Sequence, residues 1–142
     1  MSADVGHTMI VGGLRGDAEE VFPLRAGVAL PAGSAVDMVL AADTPEFPQP
    51  ECYSAAEWTR LVAGTRERGV AIDRLEEVSS AYSVVAPVHT NTGRIVAAVG
   101  AVVLNGGQLA SMATNVRRAA NMVTTNLGRL PARRSRAFWL DD

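Results

Sequence analysis

Apolar positions along the chain recur with two different spacings. Residues 8–14 (TMIVGGL) and 20–25 (EVFPLR) are short β-forming runs. Gly16 and Asp17 lie between them, so the pattern predicts two strands and a turn. Pro23 suits a strand end or an edge. In AGVALPAGSAVDMVLAAD the spacing changes. Ala35, Met38, Val39 and Ala42 recur at helical intervals, and Ser34 is placed to cap the helix start. Three prolines between Asp43 and Pro50 predict a loop.

Ser54-Ala55-Ala56-Glu57 is a capping-box pattern, in which the hydroxyl satisfies an early N–H and Glu57 reaches back. Trp58, Leu61, Val62 and Thr65 form the inner stripe of the helix that follows, and Gly69 ends it. Residues 70–72 predict a brief strand leading to Asp73. Tyr82 to His89, the turn-like Asn91-Thr92-Gly93 and Arg94 to Leu104 predict a hairpin. Its second run is apolar on both faces, which predicts a central strand covered on both sides. Asn105-Gly106-Gly107 stops it. Leu109, Met112, Ala113, Val116, Ala120, Val123 and Leu127 lie on one stripe of a last helix that Gly128 closes. Residues 131–142 read as a loosely held tail. Strands and helices in blocks, with hairpin-joined neighbours, predict an antiparallel α+β fold with helices packed on the sheet.

The length of 142 residues gives room for one domain and a tail. The longest apolar run, Ile95 to Leu104, is about half a membrane-spanning helix, so no membrane partner is expected. No signal peptide is visible, and a cytoplasmic location is the default. One cysteine excludes an internal disulfide framework. The net charge of −2 hides a split: residues 1–77 carry thirteen acids and six arginines, while residues 78–140 carry seven arginines and no acid. There is no lysine. Such a split fits nucleic-acid contact, self-association of unlike faces, or two sequence halves that interleave around one core.

Candidate chemistry is sparse. His7, Cys52 and His89 lack the spacing that puts ligands on one face, so no metal is expected. Neither VGGLRG (residues 11–16) nor the glycine turn at 105–107 has the spacing of a nucleotide loop, and no cofactor is expected. Glu19-Glu20 and Glu76-Glu77 are adjacent pairs that point apart, unlike an acid/base pair. Arg117 and Arg118 fall on the polar face of the last helix, with no helix-turn-helix partner. No catalytic residue is assigned. Asp73 is the exception of interest. It is either a turn-capping residue or a carboxylate at the mouth of an apolar pocket that orients a polar ligand.

The run RLVAGTRERGVAID, then EEVSSAYSVVAPVHTNTGRIVAAVGAVV, then the long helix ending NLGRL resembles the C-terminal effector-binding domain of IclR-type transcription regulators. That family shows a helix leading into "R-x-x-G-y-a-x-D", an "A-a-P-V" strand, a "G-x-v-v-A-a" strand and a helix ending at "L-G". Upstream, LRAGVALPAGSAVDMVLAAD is similar to the family's "G-s-x-l-P-l-h-a-t-A-x-G-k-a-l-L-A" region. The resemblance covers about residues 20–130.

The resemblance implies a GAF-like (profilin-like) antiparallel sheet with helices packed on it. It also implies a bacterial effector-binding domain over residues 1–130, with a small organic or aromatic acid as ligand and a homodimer or homotetramer as the assembly. The implied pocket positions are Asp73, Ala81 and Ser83, with Ser34 and Ala35 offering backbone amides to a ligand carboxylate. Gly100 and Val102 stand at two inward positions that are often serine in the family, which makes the floor apolar. Asp37 stands where a glycine is usual. Both departures favour a larger or less polar effector than glyoxylate or pyruvate, or a pocket that has lost its ligand. The first predicted strand begins within ten residues of Met1, so DNA contact is expected only through a winged-helix domain that this chain lacks. The alternatives are a dimerisation domain with a degenerate pocket, and a small enzyme using Asp73, Ser83 or His89.

Overall fold

The computed structural model describes residues 8–13, 26–75 and 81–130. The predicted strand at 20–25, the tail at 131–142 and His7 lie outside them. Within them the order is α1 (Ala35–Asp43), α2 (Ala55–Arg68), β1 (Ala71–Arg74), β2 (Tyr82–His89), β3 (Ile95–Val103), a short 3-10 turn (Gly106–Gln108) and α3 (Leu109–Arg129). The three strands form one antiparallel sheet in the order β1-β2-β3. This is the α+β arrangement that the hydropathy pattern predicts.

The capping box that starts α2 is formed. The Glu57 amide donates to Ser54 Oγ, and Glu57 Oε2 accepts from the Ser54 amide at 2.9 Å. That amide, then the Ser54 hydroxyl, hold the Glu57 carboxyl below its ordinary value. This contribution is present above the unfolded value and is lost as pH falls through the lowered one. At the far end Gly69 takes φ +71°, and its amide donates to Thr65 O. Ser54→Ala is expected to cost about 1 kcal/mol. The cost would appear as a lower urea midpoint with an unchanged slope.

Helices cover both faces of the sheet. Ala35, Met38 and Val39 of α1 and Trp58 and Val62 of α2 pack with Ala71 and Val85 on one face. Val116 and Ala120 of α3 pack with Val84, Ala86, Val88 and Val103 on the other. The alternation of β2 between these two layers is the period-2 rule of a strand between helices. Near the hairpin, Val88 lies opposite Ala97 but His89 lies opposite Ile95. Val96 is therefore one extra residue, a bulge. The bulge shifts the alternation by one, which brings Ile95 to the same layer as Ala98.

Among the described residues β3 pairs with β2 alone. Apolar side chains on two faces report the helices above and below a strand, not whether its edge hydrogen bonds are taken. Two expectations are corrected. Residues 8–13 form no strand; Met9 makes a single antiparallel bridge with Ala29. Gly128 does not close α3, which runs on to Arg129.

Two arginines tie the helices together. Arg66 Nε donates to Ala42 O at 2.8 Å, at the C-terminal end of α1. Arg117 Nη1 donates to Arg68 O at 3.0 Å, at the C-terminal end of α2. The Arg117-Arg118 pair thus has a partly structural role, with Arg118 exposed.

Candidate functional site

The β1-β2-β3 register decides which predicted residues meet. Asp73 lies opposite Ser83, and Ser83 lies opposite Val102. One step along the same face, Ala71, Val85 and Gly100 are in line. Ala71 and Val85 belong to the α1/α2 layer. Asp73, Ser83 and Val102 therefore share the face that α1 covers, at the end of the sheet away from the hairpin. All three are half-buried. Asp73 is a strand residue, not a turn cap. Ala81 is fully buried, and its carbonyl accepts from the Leu75 amide at 3.0 Å. Gly100 lies over Val85 but remains exposed, so it is not enclosed as the resemblance implies.

Val39, Ala42 and Asp43 in the C-terminal part of α1 line a cavity of about 170 Å3 with Arg66, Pro87, His89 and Ile95 at the hairpin end. His89 is half-buried there and is not simply solvent-facing; its amide donates to Thr124 Oγ1. Cys52 is exposed.

Ser34 stands at the N-cap, as predicted, but its side chain makes no capping bond. Its Oγ is buried and has no hydrogen-bond partner. The first amides of any helix lack intrahelical acceptors, so those of Ala35 and Val36 are donors without an internal partner.

Asp37 is the residue that sequence reasoning undervalued. It is 8% exposed. One carboxylate oxygen accepts from the Gly33 amide at 2.7 Å, the other from Thr8 Oγ1 at 3.0 Å. A carboxylate in the first turn is favoured by the helix dipole. Asp37 thus supplies one negative charge to the terminus that was expected to hold a ligand's carboxylate. The available signal was an acid three residues after the N-cap. Its partner Thr8 is 29 residues away in sequence, which no local pattern shows.

Among the described residues, no group of three or more His, Cys, Asp or Glu is arranged to hold a metal ion. No helix among them is long and apolar enough to cross a membrane.

No family model matches the chain, and no curated protein matches it. Solved structures do. The chain is similar to the Agrobacterium tumefaciens repressor BlcR at 22% identity and a TM-score of 0.63, with 75% of this chain and 51% of that one covered. An IclR homolog from Microbacterium hydrocarbonoxydans, complexed with 4-hydroxybenzoate, is similar at 22% identity and a TM-score of 0.62, covering 75% and 50%. The C-terminal domain of the E. coli transcriptional regulator KdgR is similar at 17% identity and a TM-score of 0.58, covering 72% and 74%. The chain spans about half the length of the first two. BlcR is a repressor and KdgR a transcriptional regulator. The described residues carry the fold of the C-terminal domain of IclR-type transcription regulators.

Proposed function

We propose that this chain is a small-molecule effector-binding and oligomerisation domain of an IclR-type transcription regulator, acting in the cytoplasm. The reading is supported by the alignment of Asp73, Ser83 and Val102 across three strands, on the face that α1 covers. At the start of α1, Ser34 holds a buried hydroxyl with no partner. The ligand is an aromatic or other organic acid. Its carboxyl takes the Ser34 hydroxyl and the amides of Ala35 and Val36. Its polar substituent takes Asp73 and Ser83, and its body lies against Val102 and Ala81. Asp37 at the same helix end disfavours a second negative charge, so the ligand carries one acidic group on an apolar frame. A neighbour of this fold was solved with 4-hydroxybenzoate, which has that composition. An effector that binds one arrangement of the oligomer better would bias attached DNA-binding domains.

Calorimetry with 4-hydroxybenzoate and other aromatic and aliphatic acids tests the reading. Binding is expected for at least one single-carboxyl acid. Asp73→Ala should weaken it about tenfold or more, as expected for a lost hydrogen bond to a charged group. A set of acids that neither binds nor raises the melting temperature overturns the sensing half. The second reading, a dimerisation domain with a degenerate pocket, is favoured by Gly100 and Val102 and predicts that silent outcome.

A further inference from the structure

The cavity at the hairpin end is not used by the effector reading, and the sequence builds it in two ways. The Leu75 amide donates to Ala81 O, so Leu75 and Ala81 form a hydrogen-bonded pair. Such pairs alternate in an antiparallel ladder, which makes Asp73 with Ser83 and Ala71 with Val85 the next two. The pair after those would be Gly69 with Pro87. Pro87 has no amide to give, and the Gly69 amide already donates to Thr65 O. β1 therefore starts at Ala71, and Gly69 and Pro87 line the cavity instead of extending the ladder. The hairpin bulge supplies a further wall. By shifting the alternation it turns Ile95 into the cavity and leaves Val96 55% exposed.

The lining carries both signs of charge on an apolar frame. Val39, Pro87 and Ile95 are the frame; Asp43, Arg66 and His89 are the titratable groups. Arg66 is fixed through its Nε, which donates to Ala42 O, and its Nη groups bond no described residue. The Asp43 carboxylate has no partner among the described residues, and neither has the half-buried His89 ring. The last carbonyls of α1 add partial negative charge beside Asp43.

We propose that this cavity is a second ligand site that takes a small α-amino acid with an apolar side chain. The planar fork of Arg66 suits the carboxylate, and the His89 ring offers it a further donor. Asp43 and the end of α1 suit the ammonium. The side chain lies against Val39, Pro87 and Ile95. Size sets the class, because about 170 Å3 is well below the roughly 300–1,000 Å3 of sites for drug-sized ligands. Charge narrows it. An acid without an amino group would face Asp43, and an amine without a carboxylate would face Arg66; a zwitterion answers both. The inference does not rest on the effector reading, whose residues lie at the other end of the sheet.

Titration of the full chain with L-valine, followed by NMR, tests it. The chain has two histidines, His7 and His89, so a His7→Ala variant assigns the His89 ring signals. These signals should shift and saturate with L-valine. Isovalerate lacks the ammonium and isobutylamine the carboxylate; each should bind about tenfold more weakly or worse. Arg66→Gln should weaken L-valine about tenfold or more. Arg66 also ties α2 to α1, so Asp43→Asn, which breaks no described bond, is the second variant. It should weaken L-valine about threefold to fivefold, as for an exposed ion pair. Asp73→Ala should leave L-valine binding unchanged. A chain that binds L-valine in this way but none of the aromatic or aliphatic acids keeps this site and loses the effector reading. An unmoved His89 ring with L-valine, L-alanine and L-proline overturns the proposal. So does isovalerate binding as tightly as L-valine, because Asp43 then recognises nothing. Loss of L-valine binding in Asp73→Ala with none in Asp43→Asn also overturns it, because the amino acid then occupies the effector pocket.

Discussion

Replacing Trp58 with alanine is expected to lower the unfolding free energy by about 3–5 kcal/mol, the usual range for a large buried aromatic. The side chain is buried in the α1/α2 layer. It stacks on Tyr53 with ring centroids 5.7 Å apart, and on Phe47 at 6.4 Å. Both neighbours come from the loop that joins α1 to α2, so Trp58 holds that loop as well as the helices. Truncation removes the transfer term and leaves a cavity that three surrounding elements cannot all close. Most single domains have only about 5–15 kcal/mol in total, so this variant should stand near the limit of folding. Urea unfolding followed by circular dichroism reads the change. Trp58→Phe keeps most of the stacking area and should lose much less. Equal losses for the two variants would remove the packing explanation.

Gly33→Ala is expected to destabilise by about 2–6 kcal/mol, through two causes that add. Gly33 has φ +82°, where a residue with a Cβ is strained by about 1–3 kcal/mol. The new Cβ would also sit 2.7 Å from Cys52 Sγ and 3.0 Å from Tyr53 Cε2, and overpacking of this kind costs about 1–3 kcal/mol. Gly27 separates the causes. It has φ +88° but nothing within 4 Å of its would-be Cβ. Gly27→Ala should therefore show the conformational part alone, about 1–2 kcal/mol. The two substitutions also differ in reach. Gly33 gives its amide to Asp37, so its displacement disturbs the start of α1 and should weaken any ligand held there. Thermal unfolding of the two variants, with and without an acid ligand, separates these effects.

How much of this was legible in the sequence follows how local each signal is. The α2 capping box, its Gly69 terminus and the β2-β3 hairpin were readable because their partners lie within a few residues. The start of α1 was half readable. Ser34 is where a cap residue should be, yet its hydroxyl does not cap. The Gly33 amide is taken instead by Asp37, whose carboxylate also holds Thr8 from far upstream. The faces of β3 were readable from hydropathy, but its strand neighbours were not, because edge bonding leaves no trace in side-chain polarity. The shared face of Asp73, Ser83 and Val102 came through a family pattern. The ladder register brings these residues together by a route that owes nothing to that pattern. The charge split proved least informative: both halves of the chain contribute to the same two layers.

The two arginine links between helices have a consequence for how this layer responds to its surroundings. Both acceptors, Ala42 O and Arg68 O, are main-chain carbonyls. A carbonyl has no proton to gain, and a guanidinium has none to lose near neutrality. The α1-to-α2 and α2-to-α3 fastenings are therefore blind to acidity, unlike a carboxylate pair. Lysine would fit poorly at either position. Its ammonium is a compact, strongly hydrated point charge without the planar fork that directs donors sideways. For Arg66 and Arg117, a helix end takes the place of a counterion.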